Sequence, residues 1–112
     1  MDVSFRTSKF RKHTQTIADA QREWGERRGK LIRRRLDELA AATTLEMMRG
    51  LPGARCHELT GNLKGKLAVD LDHPHRLLFE PCQDPIPRKT DGGLDWTKIT
   101  AIIVTDILDY HG

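Results

Sequence analysis

Five residues of this 112-residue chain have side chains suited to moving protons around a phosphate: His57, Arg76 and the run Asp109-Tyr110-His111. Imidazole alone titrates near neutral pH without help from its surroundings, so two histidines can divide the roles of base and acid. Cutting an RNA backbone without a metal requires such a pair. It also requires cations for the charge that gathers on the phosphate, and arginine and lysine are of the right type, Arg76 among them. His57 opens one segment that reads as a strand, Arg76 lies early in another, and Asp109-Tyr110-His111 follows a third. Strand ends present groups to solvent, so three strands meeting at one end would bring the set together.

The remaining polar clusters read more simply. His73-Pro74-His75 places two histidines across a proline in a turn with no third ligand evident, which argues against a metal site. Cys56 and Cys82 match no zinc spacing and are too few for a disulfide framework, so both are expected to be free thiols. No metal and no cofactor are expected. The Arg33-Arg34-Arg35 run is expected to lie across the flank and outer face of a helix.

The elements that must position these residues are legible from periodicity. Residues 3–7 alternate as a short edge strand. From Ser8, a plausible N-cap, Phe10, Ile17 and Trp24 recur every seven residues with Ala20 beside them, which predicts one amphipathic helix. Gly25 and Gly29 each disfavour a helix interior by about 1 kcal/mol relative to Ala, so a turn is expected there and a second helix begins between them. That helix carries Leu31, Ile32, Leu36, Leu39, Ala40 and Thr43 on one side, completing an antiparallel hairpin with Phe10, Trp24, Leu36 and Leu39 in the core. Thr43 and Glu46 have capping-box spacing, predicting a short helix over 44–49 before Gly50, Pro52 and Gly53.

Beyond Pro52 the period becomes two. Lys66 to Asp72 alternates, with Leu67, Val69 and Leu71 inward and Lys66, Ala68, Asp70 and Asp72 outward. A turn over 72–75 joins it to a strand from Arg76 to Glu80, and Cys56 to Leu59 is expected to pair ahead of both. Residues 81–95 read as a long exposed loop. Lys98 to Leu108 is apolar almost throughout, as expected of a central strand buried on both faces. The fold class is therefore α+β: an N-terminal helical hairpin on one face of a small, mainly antiparallel sheet, in a single domain over residues 1–112.

Composition limits the settings in which this fold works. The chain is 38% hydrophobic and 31% charged, which is ordinary for a folded domain. No apolar run approaches the roughly 20 residues that span a bilayer, and residues 1–4 lack a signal-peptide layout, so a cytoplasmic protein with no membrane partner is expected. The net charge of +3 hides an asymmetry. Residues 1–50 hold 12 Lys or Arg against 7 Asp or Glu, while residues 51–112 hold 7 against 9. A basic first half is compatible with polyanion binding.

The segment His57-Glu58-Leu59-Thr60-Gly61 leading to Lys64-Gly65-Lys66, the Arg76-Leu77-Leu78-Phe79 strand and the terminal Asp109-Tyr110-His111, in that order, resemble the HigB branch of the RelE/ParE toxin superfamily. The resemblance runs from about Phe10 onward and is most specific in the β half. It implies a RelE-like fold and the toxin of a bacterial type II toxin–antitoxin pair, an endoribonuclease that cuts messenger RNA on the ribosome. Its implied partners are mRNA, the ribosome and a cognate antitoxin, a helix-turn-helix protein of the HigA kind. His57 and His111 would be the acid–base pair, Arg76 a phosphate or transition-state contact, Asp109 and Tyr110 supporting residues, and Lys64 and Lys66 RNA contacts. Relatives often carry a lysine where this chain has Thr60 and an aromatic where it has Lys66. Two other readings stand beside this one: a toxin-fold binding protein without nuclease activity, such as a gyrase inhibitor of the ParE kind, and a small nucleic-acid-binding regulator that uses its basic helices.

Overall fold

The computed structural model describes residues 1–109. Five strands form one sheet: β1 (Asp2–Phe5), β2 (His57–Glu58), β3 (Leu67–Asp70), β4 (His75–Pro81) and β5 (Ala101–Asp109), in the spatial order β1-β5-β4-β3-β2. All neighbours are antiparallel except β1 and β5, which run parallel. Helices α1 (Ser8–Thr14), α2 (Ile17–Trp24) and α3 (Glu26–Ala41) precede the β2–β5 meander. The α+β layout with a helical hairpin against a mostly antiparallel sheet is thus the observed one.

The first helical stretch is two helices, because two threonines outcompete the heptad pattern. Thr7, and not Ser8, caps α1 by accepting a hydrogen bond from the Phe10 amide at 3.1 Å. Thr16 then caps α2 through the Asp19 amide at 3.0 Å and binds the Asp19 carboxylate as well, so the chain restarts there. Arg33 Nη1 donates to the carbonyl left open at Thr14, 2.7 Å away. Ile17, expected inside, is consequently half exposed. Phe10 and Trp24 are only partly buried, stacking with Phe5 in a chain of rings 6.0 and 5.5 Å apart at the edge of the core.

The hairpin of α2 and α3 turns at Gly25, whose φ of +89° suits glycine, and α3 starts at the next residue. Gly29 faces α2 so closely that a Cβ would stand 2.4 Å from the Gln21 amide nitrogen. Further along α3, Ile32, Leu36 and Leu39 pack on Leu67, Val69, Leu77, Phe79, Ile102 and Val104 of the sheet. Residues directly opposite in adjacent strands share a face, so this set defines the helix side of the sheet.

Several expectations are corrected by how the ends of elements are satisfied. The short helix after Thr44 is a 3₁₀ turn, Leu45–Gly50, and no capping box forms: the Thr43 hydroxyl turns to the Met47 sulfur while Glu46 pairs with Arg49. β5 is half-buried, with Ile102 and Val104 inward and Ile103 and Thr105 on the other side, because only one face carries helices. β3 is shorter than expected, and Ala68, read as outward and polar-sided, is fully buried. Arg35 is only 5% exposed and lies under the sheet end, not on the outer flank. The 82–100 connection is held down by Leu94, Trp96 and Ile99, all buried; the Trp96 indole donates to Glu58 at 3.0 Å and the Arg49 guanidinium lies 3.8 Å over its ring.

Candidate functional site

β-pairing decides which of the candidate residues meet. His57 sits opposite Ala68, Ala68 opposite Leu78, and Asp70 opposite Arg76, so all five point away from the helices. On this open face Arg76 Nη1 approaches His57 Nε2 to 3.4 Å. The other ring nitrogen, Nδ1, lies 2.7 Å from the Arg55 carbonyl oxygen. A carbonyl only accepts and a guanidinium only donates, so these contacts require the proton on Nδ1 and a lone pair on Nε2. In that tautomer Nε2 keeps a lone pair able to accept a proton, and the ring forms part of the wall of a recess. The recess, about 240 Å3, is walled by His57, Glu58, Leu59, Thr60, Asn62, Leu63 and Arg76.

Two residues that sequence reasoning did not single out complete the cluster. Asp70 places Oδ1 3.4 Å from Arg76 Nε and Oδ2 3.6 Å from Arg55 Nε. Its Oδ1 is buried and accepts no hydrogen bond among the described residues. Arg55 has φ +45°, a left-handed conformation uncommon for a residue with a side chain. Nothing in the one-dimensional pattern marked Arg55, and Asp70 looked like one more outward residue of an alternating strand. Beneath both lies Arg35, donating to the Asp70 carbonyl at 2.7 Å, the Gly53 carbonyl at 2.8 Å and Glu38 at 2.9 Å.

The other candidates are distributed differently. Asp109 pairs with His75, one position out of step with Arg76, and alternation sends it to the helix side. There its carboxylate lies 3.7 Å from His75 Nε2, while His75 Nδ1 faces Asp72 and Asp72 receives Arg28 at 3.0 Å. Burial raises the Asp72 carboxyl pKa, but the Arg28 hydrogen bonds and charge outweigh it and hold the group below its ordinary value. Lys64 is exposed and Lys66 half-buried just after the recess in the chain, and neither lines it. Tyr110 and His111 lie outside the described residues.

Among the described residues no group of three or more His, Cys, Asp or Glu side chains is placed to hold a metal ion. Cys56, next to His57, is not a nucleophile at neutral pH: burial pushes its thiol up to about 12, against a weaker opposing pull from Arg49. Cys82 is likewise free. No helix is long and apolar enough to cross a membrane. Comparison of the chain with protein-family models, with curated proteins and with solved structures finds no match. Any functional reading therefore rests on the residues and their geometry.

Proposed function

We propose that the protein is the toxin of a bacterial type II toxin–antitoxin pair, a cytoplasmic endoribonuclease that cuts messenger RNA on the ribosome by metal-independent acid–base chemistry. The observation that carries this reading is the approach of Arg76 Nη1 to the lone pair of His57 Nε2 at the mouth of a recess. In RNA cleavage His57 Nε2 takes the 2′-hydroxyl proton. The O2′–P bond forms as the P–O5′ bond breaks, Arg76 meets the charge on the non-bridging oxygens, and His111 returns a proton to O5′. The products are a 2′,3′-cyclic phosphate and a 5′-hydroxyl end.

At 3.4 Å the Arg76–His57 contact is long, so a hydroxyl can replace the guanidinium at Nε2 while Arg76 turns to phosphate. Lys64 and Lys66 add positive charge along the strand of RNA. The ribosome presents the mRNA and a HigA-like helix-turn-helix antitoxin silences the protein. The test is induction of the wild type and of the His57→Gln, His111→Gln double variant in cells, followed by mapping of mRNA ends. Codon-phased cuts that vanish in the folded variant are expected. Growth arrest with intact transcripts and relaxed DNA would replace this reading with a gyrase inhibitor.

A further inference from the structure

Two residues of the open-face cluster, Arg55 and Asp70, contact His57 and Arg76 without lining the recess themselves. Arg55 occupies a left-handed backbone conformation that a residue with a Cβ enters at a cost, and costs of this kind persist where neighbouring structure enforces them. The enforcement is visible. The Asp70 amide donates to the Ala54 carbonyl at 2.8 Å, and Arg35 holds the Gly53 and Asp70 carbonyls together from below. The outcome of the bend is that the Arg55 carbonyl meets His57 Nδ1 at 2.7 Å.

Asp70 acts on the other half of the pair. Its carboxylate stands between two guanidinium groups at ion-pair range, and its buried oxygen accepts no hydrogen bond among the described residues. A buried acceptor left open is destabilising unless something compensates, and here the compensation is the charge of Arg76 and Arg55. The Asp70 carboxylate, at ion-pair distance from Arg76 Nε, holds the guanidinium near His57.

We infer that Arg55 and Asp70 are the positioning residues of this site: the left-handed turn at Arg55 selects the Nδ1–H tautomer of His57, and Asp70 parks Arg76 beside the exposed Nε2 lone pair. This rests on the nuclease reading for its consequence in catalysis, but the tautomer is a property of the folded protein and is measurable without any RNA. Ring-nitrogen chemical shifts of 15N-histidine-labelled protein above pH 8 report it directly. Wild type is expected to show His57 protonated at Nδ1. Arg55→Gly and Arg55→Asn, which accept positive φ, are expected to keep that pattern, and Arg55→Val, which resists it, to lose it.

If Arg55→Val does not fold, the comparison of wild type with Arg55→Gly still decides. A wild-type His57 protonated at Nε2, or a tautomer that changes in the glycine variant, would overturn the assignment. For Asp70 the readout is the split between kcat and KM on ribosome-bound mRNA. Asp70→Asn is expected to lower kcat by about 10- to 100-fold, as loss of an orienting partner does, with KM unchanged or lower because the site becomes more positive. Asp70→Glu is expected to recover part of kcat. Equal losses in both variants, or a rise in KM alone, would remove Asp70 from this role. A wild type with the Nδ1–H tautomer that cuts no RNA would sink the nuclease reading and leave the Arg55 assignment standing.

Discussion

Two ion clusters occupy opposite sides of the same sheet end, and they are built to different tolerances. On the helix side Arg28 grips Asp72 with three hydrogen bonds of 3.0–3.2 Å, and His75 closes the group between Asp72 and Asp109. On the open side Arg76 stands 3.4 Å from both His57 and Asp70, Arg55 stands 3.6 Å from Asp70, and a buried carboxylate oxygen accepts no hydrogen bond among the described residues. Short, forked contacts lock α3 to the β3–β4 turn. Longer contacts of 3.4–3.6 Å join Arg76, Asp70 and Arg55 on the open side. The contrast teaches that identical residue types, arginine, aspartate and histidine, make forked, short bonds on one face and longer ion-pair contacts on the other, where the catalytic site is proposed.

The comparison breaks most visibly through His57. The His57→Gln variant is expected to lose about 10²- to 10⁴-fold in RNA cleavage rate while its melting temperature stays within about 2 °C of wild type, because a partly exposed ring at a strand start contributes little packing. A large drop in melting temperature would make the open face structural too. Next comes Arg35, which holds the backbone behind the open-face cluster. Arg35→Met leaves the Gly53 and Asp70 carbonyls without their donor and Glu38 without its buried partner, and urea unfolding is expected to show a loss of about 3 kcal/mol.

A smaller effect belongs to the hairpin that carries Arg28. Gly29→Ala is expected to cost about 1–3 kcal/mol in the same assay, since its Cβ meets Gln21 backbone that cannot give way without separating the helices. The smallest is Arg28→Met, at about 1 kcal/mol near neutral pH. Asp72 has a folded-state pKa below its ordinary 3.8, so its ionised form is stabilised by folding. That contribution is complete above the ordinary value and fades as pH falls through the lowered one. The stability gap between wild type and Arg28→Met is therefore expected to close below about pH 4, and a gap that persists there would show that packing of the arginine stem, not the pair, accounts for it.

Much of the fold was legible because its signals are local. The switch from a three- and four-residue period to alternation after Pro52 separated helices from strands, and Gly25 marked the turn. The break between α1 and α2 was equally local but masked, since the heptad of Phe10, Ile17 and Trp24 continues through Thr16-Ile17-Ala18-Asp19, whose side chains end one helix and start another. For the candidate site, the approach of His57 to Arg76 was expected from their places near the ends of segments read as strands, and the structure brings them together across β3, which lies between their strands. Asp109 shows the limit: a shift of one residue in register sends a side chain to the opposite face, and no composition or spacing reports register.

What this sequence determined by itself is the inventory: helices first, an antiparallel meander after, and a histidine, an arginine and lysines along one stretch of it. Tertiary structure alone decided which aspartate serves which arginine, that Arg35 belongs inside, and that Arg55 bends backwards to face His57. The reason is physical. Periodicity is set by bonds between near neighbours along the chain, whereas the orientation of an imidazole or a guanidinium depends on contacts that exist only once the sheet has closed, from Arg76 directly and from Asp70 and Arg35 through the bend at Arg55.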